Sequence, residues 1–368
     1  MPVAKTYVIS ICLALLLTGA HSFKEVLIVG RNGTMRYEPA LLTLEQMRTF
    51  AELSDPEHLR QTVHRLAVRR VVGTPGHAAV RDFIIDSLRA LGWHVNLDIF
   101  NGQVPILGSV TFHNIVAKLS CKARRYLMLG CHYDSKYLAR SEYVGATDAA
   151  VSCALMLNMA RVLQKQLRAL RQAQIGLLFV FFDGTEAIGS WSDEESLYGS
   201  RHLADLMYER GLLDGIDLFV LLDRVGAKDM SFFSHIPRTV GWFQRLVQLE
   251  QKLSKAGLLK AQRSYFQFIA RDDPRDDHVP FLRRQVPVLH LTAEESSTQV
   301  WHKVTDVEGR VDYGSTEQVA LIVRLFVLEY LLSAPSSSGQ LLPPCLALLS
   351  TLAALSLSLP LPLPLRLS

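Results

Sequence analysis

Five residues of this 368-residue chain carry the donor types that hold a metal ion: His132, Asp148, Glu186, Asp223 and His302. Most of them sit where an apolar run stops or a helix starts. His132 follows Tyr126–Cys131, Glu186 follows Ile175–Phe182 through Asp183-Gly184, and Asp223 follows Leu218–Leu222. Asp148 precedes the apolar helical stretch 149–170. Zinc binds imidazole nitrogen and carboxylate oxygen, usually four-coordinate, and catalytic sites leave one position for water or substrate. Taken singly, each residue has an ordinary explanation. Glu186 could be a solvated turn carboxylate, Asp148 a helix cap and His302 a core histidine. Gathered at one sheet edge they make a site, and Trp191, just beyond Glu186, is suited to wall a pocket. Other chemistries lack their signatures. There is no Gly-x-Ser-x-Gly elbow, no phosphate-binding glycine loop and no His-Glu-x-x-His.

The elements that position these residues alternate between helix and strand. The unbroken apolar run 177–182, ended by Asp-Gly, reads as a strand buried on both faces. Chemistry in open α/β sheets gathers at the carboxyl ends of such strands. Further strands are expected at 95–99, 114–119, 126–131, 218–222 and 286–291. Helices are expected from Leu44 to Val72 with a break at Pro56, along 80–91, and at 149–170, 198–210 and 240–256. Thr43 with Gln46 forms a capping box, and Ser315 with Glu317 opens a last helix running to Leu332. The fold class is α/β: one domain, residues 23–332, with a mostly parallel central sheet flanked by helices on both faces.

The two ends differ from this domain. Residues 1–22 hold one lysine, an apolar run at 8–17 and small residues at Ala20 and Ser22, which is a signal-peptide pattern. A secreted chain follows, and Asn32-Gly33-Thr34 is then a glycosylation sequon. Residues 333–368 form a small-residue linker and a hydrophobic tail, uncharged from Leu341 to Leu365. That matches a glycolipid-anchor signal, and hence cell-surface anchoring, better than a retained span, which Pro360, Pro362 and Pro364 disfavour, or a low-complexity extension. A net charge of +4 without a basic stripe argues against nucleic acid. A monomer is expected. Of the five cysteines, Cys131 ends a strand and Cys153 opens the next helix. That pair is expected to be bridged and Cys121 to be free.

The motifs Cys131-His-Tyr-Asp-Ser-Lys136, Val144-Gly-Ala-Thr-Asp148, Phe181-Phe-Asp-Gly-Thr-Glu-Ala187, Asp276-Asp-His-Val-Pro-Phe-Leu-Arg-Arg284 and Val300-Trp-His302 closely resemble those of animal glutaminyl-peptide cyclotransferases. The resemblance spans about residues 44–332 and implies the fold of the zinc aminopeptidases. It implies one zinc per chain held by Asp148, Glu186 and His302, an acidic pair in which Asp223 and Asp276 are hydrogen-bonded to each other, and a pocket walled by Trp191 and Trp301. It supports the Cys131–Cys153 bridge. The reaction implied is attack by the α-amine of an N-terminal Gln on its own carboxamide carbon, giving pyroglutamate and ammonia from peptide or protein substrates.

One departure bears directly on mechanism. The family has two consecutive glutamates after Asp-Gly, the first a general base; here that position is Thr185. Arg275 replaces a glutamine, and would meet the substrate's cationic amine or pair with Asp273 or Asp277. Ser297 stands near an aromatic pocket position. Three readings follow. The chain is a cyclase using another proton acceptor (Asp223, Asp276 or a water held by Thr185), a silent paralogue that binds peptide N-termini, or an aminopeptidase with His132 and Asp223 completing a second zinc site.

Overall fold

The computed structural model describes residues 26–30, 33–38, 40–120, 122–172, 175–260, 263–294, 300–332 and 334–335. The signal segment, Asn32, Cys121, Ser297 and the tail beyond Pro335 lie outside them. In chain order the first elements are strands β1 (Val26–Gly30) and β2 (Gly33–Glu38), then helices α1 (Leu44–Glu52), α2 (Pro56–Leu66) and α3 (Pro75–Ala90). Strands β3 (His94–Val104), β4 (Gly108–Lys118) and β5 (Arg125–His132) follow, then α4 (Val151–Val162) and α5 (Gln164–Ala169). Next come β6 (Ile175–Phe182), α6 (Tyr198–Glu209), β7 (Ile216–Asp223), β8 (Phe232–Ser234) and α7 (Val240–Lys255). The chain continues through β9 (Phe266–Ala270), α8 (Val279–Arg283), β10 (Val288–Thr292), α9 (Tyr313–Leu332) and β11 (Ala334–Pro335).

The main sheet has the order β10-β7-β5-β6-β4-β3. The four strands β10, β7, β5 and β6 run parallel, and the antiparallel hairpin β3–β4 closes one edge, with β4 antiparallel to β6. All eight residues of β6 are buried, as are all eight of β7. Side chains alternate across a strand, so β6 feeds two cores at once. Leu177, Phe179 and Phe181 join one cluster with α2, α3, α4, α7 and α9, while Leu178, Val180 and Phe182 join another with α6 and α8. Each buried side chain of this size contributes roughly 1.5–3 kcal/mol. The helical layers on both faces therefore fix the sheet, and its carboxyl edge is left to the site.

Local chemistry sets most helix starts. Thr43 and Gln46 form the expected reciprocal cap. Pro56 opens α2 behind the Asp55 cap rather than interrupting a longer helix, because proline suits a first turn, where its missing N–H is not needed. The stretch 149–170 divides at Leu163 into α4 and α5. The start of α9 also differs from the reading above. The helix begins at Tyr313, and the Asp312 carboxylate, not Ser315, accepts the Ser315 N–H at 3.1 Å.

Candidate active site

Parallel pairing brings the carboxyl ends of the central strands together. His132 lies opposite Phe182, and Asp223 opposite Thr292. After Phe182 the chain turns at Gly184, whose φ is +65° and where any Cβ would lie 2.3 Å from the Phe112 ring. Only glycine fits there. The turn is pinned through Asp183, which reaches His77 at 2.7 Å and accepts from the His113 N–H at 2.7 Å and the Tyr133 hydroxyl at 3.1 Å. Asp134 then accepts the Thr185 N–H on one oxygen (3.2 Å) and the Glu186 N–H on the other (3.1 Å). The two residues after Gly184 thus take their direction from a carboxylate on the neighbouring strand's extension.

Asp148 is carried by a separate loop. Gly145 adopts φ +51° there, and a Cβ on it would meet the Asp148 carbonyl oxygen at 2.2 Å. Arg70, fully buried, threads its guanidinium into this loop. It donates to the carbonyls of Tyr133 (2.8 Å), Gly145 (2.9 Å) and Asp148 (3.3 Å), and to that of Val144. The Asp148–Ala149 peptide bond is cis. The Asp148 side chain caps no helix. Its Oδ1 is 3.2 Å from His132 Nε2, and its Oδ2 accepts the Tyr143 hydroxyl at 2.9 Å.

His302 completes the cluster. Its Nε2 lies 2.9 Å from Glu186 Oε1 and 3.4 Å from Asp148 Oδ2, so the three residues assigned to zinc meet at one point. His132, Asp148 and Glu186 also offer ligand atoms within 4.8 Å of one another. The donor set fits zinc, being carboxylate and imidazole at mutual distances a tetrahedral ion spans. Asp134, Asp148, Glu186 and Asp223 converge where Lys136 (3.3 Å from Glu186) and Arg224 (3.2 Å from Asp223) supply the fixed positive charge, and Asp223 Oδ1 is buried with no hydrogen-bond donor. Burial disfavours the charged form of His302, but the Glu186 and Asp148 carboxylates more than offset this and raise its pKa.

These residues form the wall of a cavity of about 400 Å³, lined also by Thr185, Trp191, Arg275, Asp276 and Trp301. Trp191 and Trp301 are partly exposed at its rim. Trp301 packs against His302 at 4.3 Å between ring centroids with the planes tilted by 32°, and the Arg224 guanidinium lies over the Trp301 ring at 5.1 Å. The hydrogen bond expected between Asp223 and Asp276 is not formed; each carboxylate is held by other groups. Asp223 Oδ2 is held by Arg224, while Asp276 Oδ2 lies 3.2 Å from His290 Nε2 and Oδ1 accepts the Asp277 N–H at 2.7 Å. Behind Asp276 stands a further cluster, in which Asp273 engages His278 (2.7 Å) and His290 (3.0 Å).

Two further expectations are corrected here. Cys131 and Cys153 are free thiols, their sulfurs 3.1 Å apart, and the expected bridge is not formed; the Cys153 thiol also donates to the His132 carbonyl at 3.1 Å. Arg275 pairs with neither Asp273 nor Asp277 but with Asp193, which Arg283 also holds at 3.1 Å.

Comparison with known proteins agrees with this geometry. Residues 114–327 match Peptidase family M28. A Drosophila melanogaster glutaminyl-peptide cyclotransferase is 45% identical over 309 residues, covering 81% of this chain and 87% of that protein. The chain belongs to the glutaminyl-peptide cyclotransferase family. A bovine (Bos taurus) glutaminyl-peptide cyclotransferase is 40% identical over 319 residues, covering 80% of this chain and 88% of the relative. The crystal structure of Macrostomum lignano glutaminyl cyclase superposes with a TM-score of 0.74 at 36% identity, covering 80% of this chain and 94% of that one. Thr185 occupies the position to which the resemblance assigns the general base. It is buried at the cavity wall, and its hydroxyl donates to Asp277 Oδ2 at 2.7 Å.

Asp134, Tyr143, Arg70 and His290 are not singled out by the sequence reading, and Asp277 enters it only as a partner for Arg275. Asp134 lies inside the His132–Lys136 motif, so proximity to His132 could have flagged it. Asp277 adjoins Asp276 in the same way. Nothing in the sequence around Arg70 marks it.

Proposed function

We propose that this chain is a zinc-dependent glutaminyl-peptide cyclotransferase, converting the N-terminal Gln of peptides and proteins to pyroglutamate with release of ammonia. The observation that carries this reading is the convergence of Asp148, Glu186 and His302 at a cavity rimmed by Trp191 and Trp301. Those three residues would hold one zinc, which when bound acts as a Lewis acid toward the γ-carbonyl.

The chain's own residues supply the rest. The two indoles confine the Gln side chain so that the amine reaches its own carboxamide carbon, and intramolecular attack gains chiefly from such positioning. Asp276, whose carboxyl is held low by His290 against the opposing effect of burial, offers negative charge to attract the substrate's terminal amine. Asp223 faces the same space with one unpartnered oxygen. Asp134 holds the backbone under Thr185 and Glu186, which keeps that wall rigid through the reaction.

A second reading, a silent binder of peptide N-termini, draws on Thr185, because a threonine hydroxyl has no useful basicity of its own at neutral pH. Loss of a general base typically costs about 10²–10⁴-fold. A third, the two-zinc aminopeptidase, draws on His132 and Asp223, 3.7 Å apart. Metal analysis of the purified protein with mass spectrometry of a Gln-peptide separates all three. One zinc and loss of ammonia support the cyclase, one zinc with an unaltered bound peptide supports the binder, and two zincs with loss of the first residue support the aminopeptidase. The secretory route, glycosylation at Asn32 and the anchor rest on the sequence pattern. Among the described residues no helix is long and apolar enough to cross a membrane.

A further inference from the structure

Asp277 is a fully buried carboxyl group that forms no ion pair among the described residues. Its Oδ2 accepts the Thr185 hydroxyl at 2.7 Å, and its Oδ1 is buried without a hydrogen-bond partner. Such a group is costly to keep inside a protein. Its link to the cavity runs through Thr185, which lines that cavity at the position next to Glu186. The groups facing Asp277 are Thr185, Ser200, Asp276 and His132, two hydroxyls, a like charge and one more distant imidazole.

We propose that Thr185 and Asp277 together form the proton path of this enzyme, Thr185 touching the substrate and Asp277 accepting the proton behind it. The path rests on the cyclotransferase reading above. As the substrate nitrogen bonds to the carboxamide carbon, it sheds a proton to Thr185 Oγ1 while Thr185 passes its own proton to Asp277 Oδ2. When the carbon–nitrogen bond to the leaving group breaks, the same two protons move back, and the departing NH2 group leaves as ammonia. Thr185 and Asp277 end as they began, and the lactam retains the attacking nitrogen. No atom or electron is left over. Burial, reinforced by the neighbouring Asp276 charge, pushes the Asp277 carboxyl well above the usual carboxylate range; it is a strong acceptor in its ionised form, and only that form relays the proton. A hydroxyl backed by a buried carboxylate thus does in two residues what one glutamate would do alone.

The experiment is a cycle of variants at Thr185 and Asp277, read by ammonia release from a Gln-peptide, zinc content and thermal melting. Thr185→Val, which keeps the shape and removes the hydroxyl, should lose about 10²–10⁴-fold in kcat, and the lost rate should return in Thr185→Ser. Asp277→Asn, which still accepts the Thr185 hydrogen bond but cannot take a proton, should lose as much with zinc content unchanged. Thr185→Glu places a carboxylate in the cavity and bypasses Asp277. In that background Asp277→Asn should cost only a few-fold. The solvent-deuterium effect should show two protons in flight in the natural protein and one in Thr185→Glu. Full activity in Thr185→Val, or an equal loss from Asp277→Asn in both backgrounds, overturns the path and leaves the cyclotransferase reading intact. No ammonia release from the zinc-loaded natural protein overturns both.

Discussion

His302 Nε2 stands 2.9 Å from Glu186 Oε1, although 116 residues of chain separate them. Glu186 is fixed early, by a strand end and the Asp134 carboxylate. His302 arrives on a late loop, with its backbone in the left-handed region at φ +54° and its ring against Trp301. The proposed metal centre is therefore a joint between the sheet edge and this loop, and the same loop supplies one wall of the cavity.

That arrangement predicts that His302→Ala loses zinc without losing the fold. His302 belongs to neither of the two cores that sandwich the sheet, and of the described residues of its loop only Ala293 and Val311, near the two ends, pack there. Zinc affinity should fall by more than the roughly 10–100-fold typical of outer contacts, while far-ultraviolet circular dichroism stays unchanged. Chelation of the natural protein should behave alike. Unfolding on chelation would mean the metal belongs to the core.

Asp134 touches no expected ligand atom of the metal, yet it holds the amides of Thr185 and Glu186 and lies 3.4 Å from His132 Nδ1. Asp134→Ala should weaken zinc binding by roughly 10–100-fold, the usual cost of losing an orienting contact. Competition with a chelator of known affinity measures it. An unchanged zinc affinity would show that the Gly184 turn orients Glu186 by itself.

His290 gives a pH dependence of stability. It sits between Asp273 and Asp276, its ring centroid 4.2 Å from that of His278 and 5.5 Å from that of His235. Burial opposes its charge, but the two carboxylates prevail and its pKa is pushed up to about 9. His278 is pushed down instead, by burial and by the His290 charge, so the proton settles on His290. An unfolded imidazole titrates near ~6.5. Because the folded value is the higher, the stabilisation is complete below ~6.5 and is lost as pH rises through about 9. Urea unfolding across this range should show falling stability in the natural protein and a flatter profile in His290→Gln. Equal slopes in the two would contradict the assignment.

Arg245 and Glu329 form a bidentate pair at 2.6 and 2.7 Å between α7 and α9, both almost fully buried, and Glu329 also accepts the Leu42 N–H at 3.1 Å. Glu329→Ala leaves a guanidinium uncompensated in the core and should cost about 3–5 kcal/mol in unfolding free energy. A loss under ~1 kcal/mol would indicate that water reaches Arg245.

The sequence made legible what apolar runs and their endings encode. Strand β6 spans Ile175–Phe182 as expected, because eight apolar or small residues meet an Asp-Gly stop. His132, Glu186 and Asp223 were legible for the same reason, each following such a run. The Asp193 partner of Arg275 was not, since it depends on how two loops approach each other. Arg70 escaped because it works on backbone carbonyls, which carry no residue signature. The short strands β8 and β9 lack enough alternating residues to show a period. The cysteine pairing was read correctly as proximity and wrongly as a bond.

The most direct measurement is ammonia release from an N-terminal Gln peptide by the zinc-loaded protein, with and without chelator, beside an Asp148→Asn variant. Chelator-sensitive release, restored by zinc and abolished in the variant, is the predicted result. A protein that binds zinc at Asp148, Glu186 and His302, folds as described and releases no ammonia would contradict the account.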